Sequence, residues 1–159
     1  MSDREYISEL GFQKLTGEVE HLLTVERPRV VNQVAAAAAE GDRSENAEYI
    51  YGKKRLREID KRVEFLSKRL DILEVVPQPK GDDKARLLSW VHVEDEDGDV
   101  KVFRVVGADE TDAKQNWISW KSPVGRSLLG KSVDDEVSIK TPGGTVVYLV
   151  VDITNSPAD

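Results

Sequence analysis

Apolar residues in the first half of the chain recur with the spacing of an α-helix. Ser8 precedes the first series as a candidate N-cap, and Ile7 and Phe12 stand at the staple positions that fix how the chain enters a helix. Pro28 interrupts the series, and because an interior proline costs a helix about 3 kcal/mol, we predict a kink or a helix restart near Arg27. The series comprises Leu15, Val19, Leu22, Leu23, Val30, Val34 and Ala37.

A second apolar series has the alternating spacings of three and four residues that are typical of a coiled-coil seam. Residues 40–46, between the two series, are long enough only for a tight reversal. This predicts an antiparallel hairpin whose second helix has about 29 residues and is roughly 43 Å long. Pairing of that helix with another chain is the alternative, but a short turn containing Gly41 favours the intramolecular partner. The seam residues are Tyr49, Gly52, Leu56, Ile59, Val63, Leu66, Leu70 and Leu73.

The second half of the chain consists of β-branched segments separated by Gly, Pro and Asp. Residues 87–94 and 100–106 flank an acidic turn and predict a β-hairpin. Ser122 and Pro123 are a good N-cap and first helical residue for a short helix that ends at Gly130. Further strands are expected at residues 117–120, 136–141 and 145–153.

These patterns predict an α+β protein with an antiparallel α-helical coiled-coil hairpin followed by a small β-sheet domain that carries one short helix. We expect the hairpin domain over residues 1–76, a linker with two prolines over 77–84, and the sheet domain over 85–159.

Composition narrows the class of protein. The 159 residues are 39% apolar and 33% charged with a net charge of -7, and there is no cysteine. Disulfides, thiolate chemistry and cysteine-ligated metal sites are therefore excluded. The longest apolar runs have six residues, far short of the roughly 20 that a bilayer-spanning helix needs. We expect a cytoplasmic protein without a membrane partner.

The turn of the hairpin carries two acids, Asp42 and Glu45. In one interpretation they are local: Gly41 ends the first helix, Asp42 caps the second, and Glu45 completes a capping box. In the other, two carboxylates at the end of a long rod are presented to a partner. Mg²⁺ binds a few carboxylate oxygens plus water, so two acids are too few to hold it alone but enough to share it. The two interpretations are compatible.

A cationic ridge is the second candidate site. Residues 53–69 contain eight basic and three acidic side chains in an otherwise acidic protein, and heptad spacing places six of the cations beside the seam. A solvated face with salt bridges and a surface that tracks phosphates are both consistent with this pattern. The basic residues are Lys53, Lys54, Arg55, Arg57, Lys61, Arg62, Lys68 and Arg69. Elsewhere, packing is favoured over a ligand pocket for Trp90, Trp117 and Trp120.

The string EGDRSENAEY at residues 40–49 and the run KKRLREIDKR at 53–62 resemble the bacterial transcript cleavage factors GreA and GreB. The basic run is similar to that of GreB, and the likeness extends through RVVG at 104–107, IS at 118–119, SP at 122–123 and GK at 130–131 to KTPGG at 140–144. The resemblance implies a hairpin that enters the secondary channel of bacterial RNA polymerase and an FKBP-like C-terminal domain that docks outside the channel. It also implies a monomer that is an accessory factor to the polymerase and not itself an enzyme.

The resemblance assigns roles to residues. Asp42 and Glu45 correspond to catalytic acids that complete a Mg²⁺ site shared with the polymerase, and the cationic ridge corresponds to a patch that holds the 3′ segment of the nascent RNA. Lys121, Ser122 and Pro123 correspond to the polymerase-docking region, although relatives commonly have Asp or Asn where this chain has Lys121.

Two other functions are consistent with the predicted architecture. A regulator that occludes the polymerase channel without promoting cleavage would keep the rod but would not depend on both tip acids. A peptidyl-prolyl isomerase with a coiled-coil arm is suggested only by analogy of fold, which is weak support for a function.

Overall fold

A computed structural model describes residues 4–41, 46–81 and 83–156. The chain divides into a hairpin unit, Phe12–Leu73, and a sheet unit that joins the segment ending at Gly11 to the segment beginning at Glu74. The predicted α+β class is confirmed. The unit boundaries differ from those expected, because the first strand and the predicted linker belong to the sheet unit.

The first arm of the hairpin consists of α1 (Glu9–His21), a π-helical turn (Leu22–Glu26) and α2 (Arg27–Ala38). The Ser8 hydroxyl accepts a hydrogen bond from the Gly11 amide at 3.0 Å, which confirms the predicted N-cap. The backbone stays right-handed helical through His21, Glu26 and Arg27 without a side-chain cap, so the first arm does not restart near Arg27. The interruption predicted there takes the form of the π-helical turn that precedes Pro28.

The second arm is α3 (Ala47–Ile72), 26 residues long and therefore about 39 Å in length. Its N-cap is Asn46, whose side-chain oxygen accepts a hydrogen bond from the Tyr49 amide at 3.1 Å. The side-chain nitrogen of Asn46 donates to the Ala37 carbonyl at 2.7 Å. The prediction that Asp42 caps α3 is therefore wrong. Asn46 is the N-cap, and its side chain ties the start of α3 to the end of α2.

The seam of the hairpin is filled by the first arm. Ile59 and Leu66 have exposures of 0% and 1%, and Ile59 packs in one cluster with Leu22 and Val30. At Gly52 an added Cβ would lie 2.5 Å from Val34 Cγ2. The absence of a side chain there lets the two arms approach closely, as the intramolecular hairpin prediction requires.

The sheet unit contains a five-stranded sheet with the order β5-β4-β3-β7-β6, in which β4 and β5 are parallel and the other neighbours antiparallel. The β3–β4 hairpin, the later strands and the short helix α4 (Pro123–Leu128) confirm the sequence predictions. The strands are β1 (Glu5–Ser8), β2 (Leu73–Val76), β3 (Trp90–Glu94), β4 (Val100–Val106), β5 (Trp117–Ser119), β6 (Glu136–Thr141) and β7 (Gly144–Thr154).

One face of this sheet carries the core of the unit. Residues of β3, β4, β6 and β7 that share this face point into it and are buried, as the period of two in a strand requires. Leu128 of α4 closes the core with 0% exposure. The buried strand residues are Val91, Val93, Val105, Val137, Ile139, Tyr148, Val150 and Ile153.

Strands β1 and β2 pair in a separate two-stranded sheet that the sequence analysis missed. The β1 backbone packs so closely on Gly107 that an added Cβ would lie 1.9 Å from the Tyr6 carbonyl oxygen. Glu110, three residues later, accepts a hydrogen bond from the Ser8 amide at 3.0 Å and another from the Ser8 hydroxyl. Strand β1 is thereby anchored to the end of β4.

We expect Gly107→Ala to destabilise the sheet unit by about 2 kcal/mol or more, because the new methyl group must displace backbone. Gly17→Ala is the control: nothing lies within 4 Å of that position, and alanine in a helix interior is favoured over glycine by about 1 kcal/mol. Thermal unfolding of the two variants should therefore shift in opposite directions. An unchanged midpoint for Gly107→Ala would contradict the close packing of β1.

Candidate functional site

The two predicted tip acids, Asp42 and Glu45, lie outside the described residues. The helices on either side place the segment that contains them, because α2 ends at Ala38 and α3 begins at Ala47. That segment therefore joins the two arms. Within the described ranges, no group of three or more His, Asp or Glu side chains could hold a metal ion. The role of the two acids stays a prediction.

The predicted ridge consists of two rows that differ in their contacts. Lys54, Lys61 and Lys68 form a lysine row that is exposed along α3. Lys68 pairs with Glu64 at 3.0 Å, one turn before it. Lys54 and Lys61 form no ion pair with any residue that the structure describes. The same holds for the exposed cations Lys53 and Arg57.

The arginine row consists of Arg55, Arg62 and Arg69 of α3, and its first two members contact the first arm. Arg55 donates from Nε to Glu26 at 2.7 Å and from Nη1 to Glu58 at 3.2 Å. Arg62 makes a two-pronged contact with Glu18, with distances of 2.6 Å from Nε and 3.1 Å from Nη2. These arginines hold the two arms together in addition to carrying charge.

A third ion pair between the arms has its cation on the first arm: Arg27 of α2 contacts Asp60 of α3 at 2.8 Å. The hydrogen bond from Arg27 lowers the pKa of Asp60 from its usual 3.8. The hydrogen bond from Arg62 likewise lowers the pKa of Glu18 from its usual 4.5. Both carboxylates are consequently ionised at neutral pH, and their charges balance those of the arginines.

The residues predicted to dock on a partner have contacts within the sheet unit. The Lys121 ammonium pairs with the largely buried Glu5 of β1 and lies 5.5 Å from the centroid of the Trp120 ring. The Ser122 hydroxyl accepts from the Gly125 amide at 3.1 Å and so caps α4, and Pro123 is the first residue of that helix. These contacts define the shape of the turn between β5 and α4.

Two of the three tryptophans pack against a buried arginine. Trp90, Arg104 and Trp117 are in register across β3, β4 and β5, and the Arg104 guanidinium lies 4.1 Å and 4.6 Å from the centroids of the two rings. Burial lowers the pKa of Arg104, and the nearby Glu110 carboxylate opposes that shift. The arginine donates to Gln78 at 2.8 Å and to the Leu88 carbonyl at 3.2 Å. The packing interpretation of these tryptophans is thus favoured by the structure.

Comparison with protein families covers almost the whole chain. The model described as "Transcription elongation factor, N-terminal" matches residues 5–75. The model described as "Transcription elongation factor, GreA/GreB, C-term" matches residues 78–155. The chain belongs to the GreA/GreB family of transcription elongation factors. The family resemblance read from the tip string and the basic run is confirmed.

Two relatives named GreB support this family assignment. The chain is 51% identical over 160 residues to the transcription elongation factor GreB of Yersinia pestis, covering 100% of this chain and 94% of that protein. It is 51% identical over 151 residues to GreB of Pasteurella multocida, covering 94% of this chain and 96% of that protein. A crystal structure of GreA factor homolog 1 from Thermus thermophilus aligns over 95% of this chain and 99% of that one, with 23% identity and a TM-score of 0.43.

The sequence analysis did not identify several residues that shape this GreA/GreB hairpin and sheet. Glu18, Glu26 and Asp60 could have been found, because charges flanking a heptad seam commonly pair between helices. Gln78 and Glu110 gave no signal in the sequence, since each acts across a contact between segments that are far apart in the chain.

Among the described residues, none of the helices combines the length and the apolar character that spanning a membrane requires.

The cross-hairpin carboxylates should make stability depend on acid pH. A carboxyl group whose pKa is lower in the folded state contributes stability above its unfolded pKa and loses it as the pH falls through the folded value. We therefore expect the loss to begin near the ordinary pKa values of 4.5 for Glu18 and 3.8 for Asp60 and to continue below them. The double variant Glu18→Gln, Asp60→Asn should unfold a few degrees below the wild type at pH 7.

Thermal unfolding followed by helical circular dichroism across pH 3 to 7 checks this. The midpoints of the wild type and of the double variant should converge at the acid end, since protonation removes the same charges. A constant difference between the two proteins at all pH values would contradict the ion-pair assignment.

Proposed function

We propose that this GreA/GreB family member binds bacterial RNA polymerase through its secondary channel. There it stimulates the polymerase's own Mg²⁺-dependent cleavage of nascent RNA in backtracked complexes, so that elongation resumes. The observation that carries the proposal is the match to proteins named GreB at 51% identity over 160 residues. The chain would be an accessory factor, with the bond cleavage performed by the polymerase.

The tip acids are suited to a shared metal site by their chemistry. Asp42 and Glu45 provide carboxylate oxygens, the ligands that Mg²⁺ prefers, and two such side chains leave most of its coordination positions to water and a partner. Bound there, the ion would stabilise charge on the attacking and leaving oxygens of the displacement. The part of this chain would be to hold two carboxylates at a fixed place beside the polymerase's own metal ligands.

The hairpin supports this role mechanically. Its second helix is 26 residues long, about 39 Å, and its two arms are joined by a buried seam and by ion pairs. Asn46 ties the base of the connecting segment to Ala37. A stiff rod of this kind can carry a reactive segment into a narrow channel at little entropic cost, since the geometry is set before binding.

RNA would contact the cations that the hairpin leaves unpaired. Phosphate contacts dominate nucleic-acid affinity, and the exposed side chains of Lys53, Lys54, Arg57 and Lys61 have no ion pair among the described residues. Arg55 and Arg62 are already engaged by carboxylates of the first arm. The RNA 3′ segment would therefore lie along the lysine row more than along the arginine row.

Docking on the polymerase surface would use the turn from Lys121 to Pro123. Its shape is fixed by the Ser122 cap. The Lys121 charge is partly balanced inside the chain by Glu5, so the site presents less net charge than the sequence alone indicates.

We expect Asp42→Asn and Glu45→Gln each to abolish stimulated RNA cleavage while leaving polymerase affinity nearly unchanged, because each removes a metal-binding charge at almost constant volume. The measurement is RNA cleavage in a stalled, backtracked bacterial elongation complex with Mg²⁺, together with a binding assay on the same complex. Wild-type protein that binds without cleaving would favour the channel-occluding regulator. Loss of binding in the variants would show that the acids are docking or structural residues.

The lysine row gives a second prediction. Replacing Lys54 and Lys61 together with Gln should weaken RNA binding and reduce the slope of log affinity against log salt by about 0.7 per lost phosphate contact on a single strand. The matched control is Lys14→Gln, Lys101→Gln, which makes the same change of net charge at two exposed lysines elsewhere. Unchanged binding and unchanged cleavage of long backtracked fragments by the Lys54, Lys61 variant would overturn the assignment.

A further inference from the structure

We infer that Tyr51 is a base-stacking residue for single-stranded RNA, and that the outer face of α3 binds RNA through aromatic stacking as well as phosphate contacts. The inference deepens the proposed function and rests on it for the identity of the ligand. Its basis is the placement of an exposed aromatic ring among unpaired cations.

The exposure of Tyr51 is high for an aromatic residue. Its side chain is 73% exposed, and it has no hydrogen bond or ring contact within the described part of the chain. The residue follows Ile50, also exposed at 52%, one turn after the start of α3. A single exposed apolar residue is ordinary, so exposure alone carries no conclusion.

The charged residues around Tyr51 indicate which kind of ligand its exposed ring binds. Residues three and four apart on a helix are neighbours, which places Lys54 directly beside the tyrosine ring, with Arg57 and Lys61 following along the same outward side. None of these three cations forms an ion pair with a described residue. Of the acids nearby, Glu58 is engaged by Arg55 at 3.2 Å. Glu48 lies one turn before Tyr51, in the first turn of α3.

The heptad geometry keeps this surface away from the seam. Gly52 and Ile59 mark the buried side of α3, and Lys54 and Lys61 fall on the side opposite to it. Tyr51 lies on the outward flank next to them, about 100° round the helix from Gly52. Tyr51 therefore adds nothing to the packing of the hairpin. Because a tyrosine side chain has only two rotatable bonds, its ring loses little entropy when a base stacks on it.

Phe65 provides an internal contrast. It occupies the same heptad position as Tyr51, 14 residues later and about 21 Å along the helix. Its ring is 52% exposed and lies 5.6 Å from the Arg62 guanidinium, which is itself paired with Glu18. Phe65 is thus already in contact with a side chain of its own helix, whereas Tyr51 is open to a ligand.

Single-stranded RNA fits this combination better than a protein surface. Proteins that bind single strands combine a cationic track with exposed aromatic rings on which bases stack, and this recognition tolerates any sequence because every base has a π face. A protein partner would instead require acids opposite each of the unpaired cations. The inferred ligand class is accordingly an unpaired RNA segment of any sequence.

The test is binding of a fluorescently labelled single-stranded RNA to the full-length protein without polymerase, measured by anisotropy over a series of salt concentrations. Tyr51→Leu should weaken binding at least about fivefold at every salt concentration, since stacking on one ring is lost. Its salt slope should equal that of the wild type, because no cation is removed. Tyr51→Phe keeps the ring and should bind within about twofold of wild type.

Ile50→Ala is the matched control, because it removes an exposed apolar side chain at the adjacent position without removing a π face. It should bind RNA as the wild type does. Equal losses in Ile50→Ala and Tyr51→Leu, or wild-type affinity in Tyr51→Leu, would overturn the inference. Because Tyr51 is exposed, helical circular dichroism should show all three variants folded.

Polymerase assays separate this inference from the proposed function. If the Tyr51→Leu variant binds RNA normally but has reduced affinity for polymerase, the ring contacts protein and the inference is overturned. Wild-type protein that stimulates cleavage but shows no saturable binding of single-stranded RNA would also overturn it, with the proposed function intact. RNA binding that depends on Tyr51 in a protein without cleavage activity would support the stacking residue while removing the cleavage role.

Discussion

The antiparallel seam between α2 and α3 is the contact on which the arrangement of the hairpin depends. Half of the residues of α3 are charged, and the stability of such a helix in water comes from burying one narrow apolar stripe. Ile59 and Leu66 are buried almost completely, and each such side chain contributes on the order of 2 kcal/mol. Gly52 brings the arms together where Val34 fills the space that a side chain would take.

The seam also decides which cations are available. Once one stripe of α3 faces the first arm, the arginines that flank it come within reach of acids on that arm, and the lysines opposite to it do not. Arg55 and Arg62 are consequently paired, while Lys54 and Lys61 have no ion pair among the described residues. A single helix thereby separates charge that stabilises the rod from charge that remains for a ligand.

In the sheet unit the corresponding constraint is the need to satisfy buried polar groups. Arg104 lies between two tryptophan rings and keeps its charge by donating to Gln78 and to a backbone carbonyl. Glu110 satisfies donors at the start of α1. Both contacts join a segment that is far away in sequence to β4 or to the residues just after it, so the N-terminal strand and the stretch around Gln78 belong to this unit.

Patterns in the sequence alone predict the α+β class, the hairpin with its irregularity near Pro28, the β3–β4 pair, the short capped helix and the family. These features depend on periodicity, prolines and capping residues that act over a few positions, or on motifs that are contiguous in the chain. The cap at Asn46, the β1–β2 pair, the Arg104 cluster and the division of the cations into two rows were decided only by the tertiary structure. The physical reason is that each depends on which distant groups come within hydrogen-bonding distance, and local propensity does not encode that.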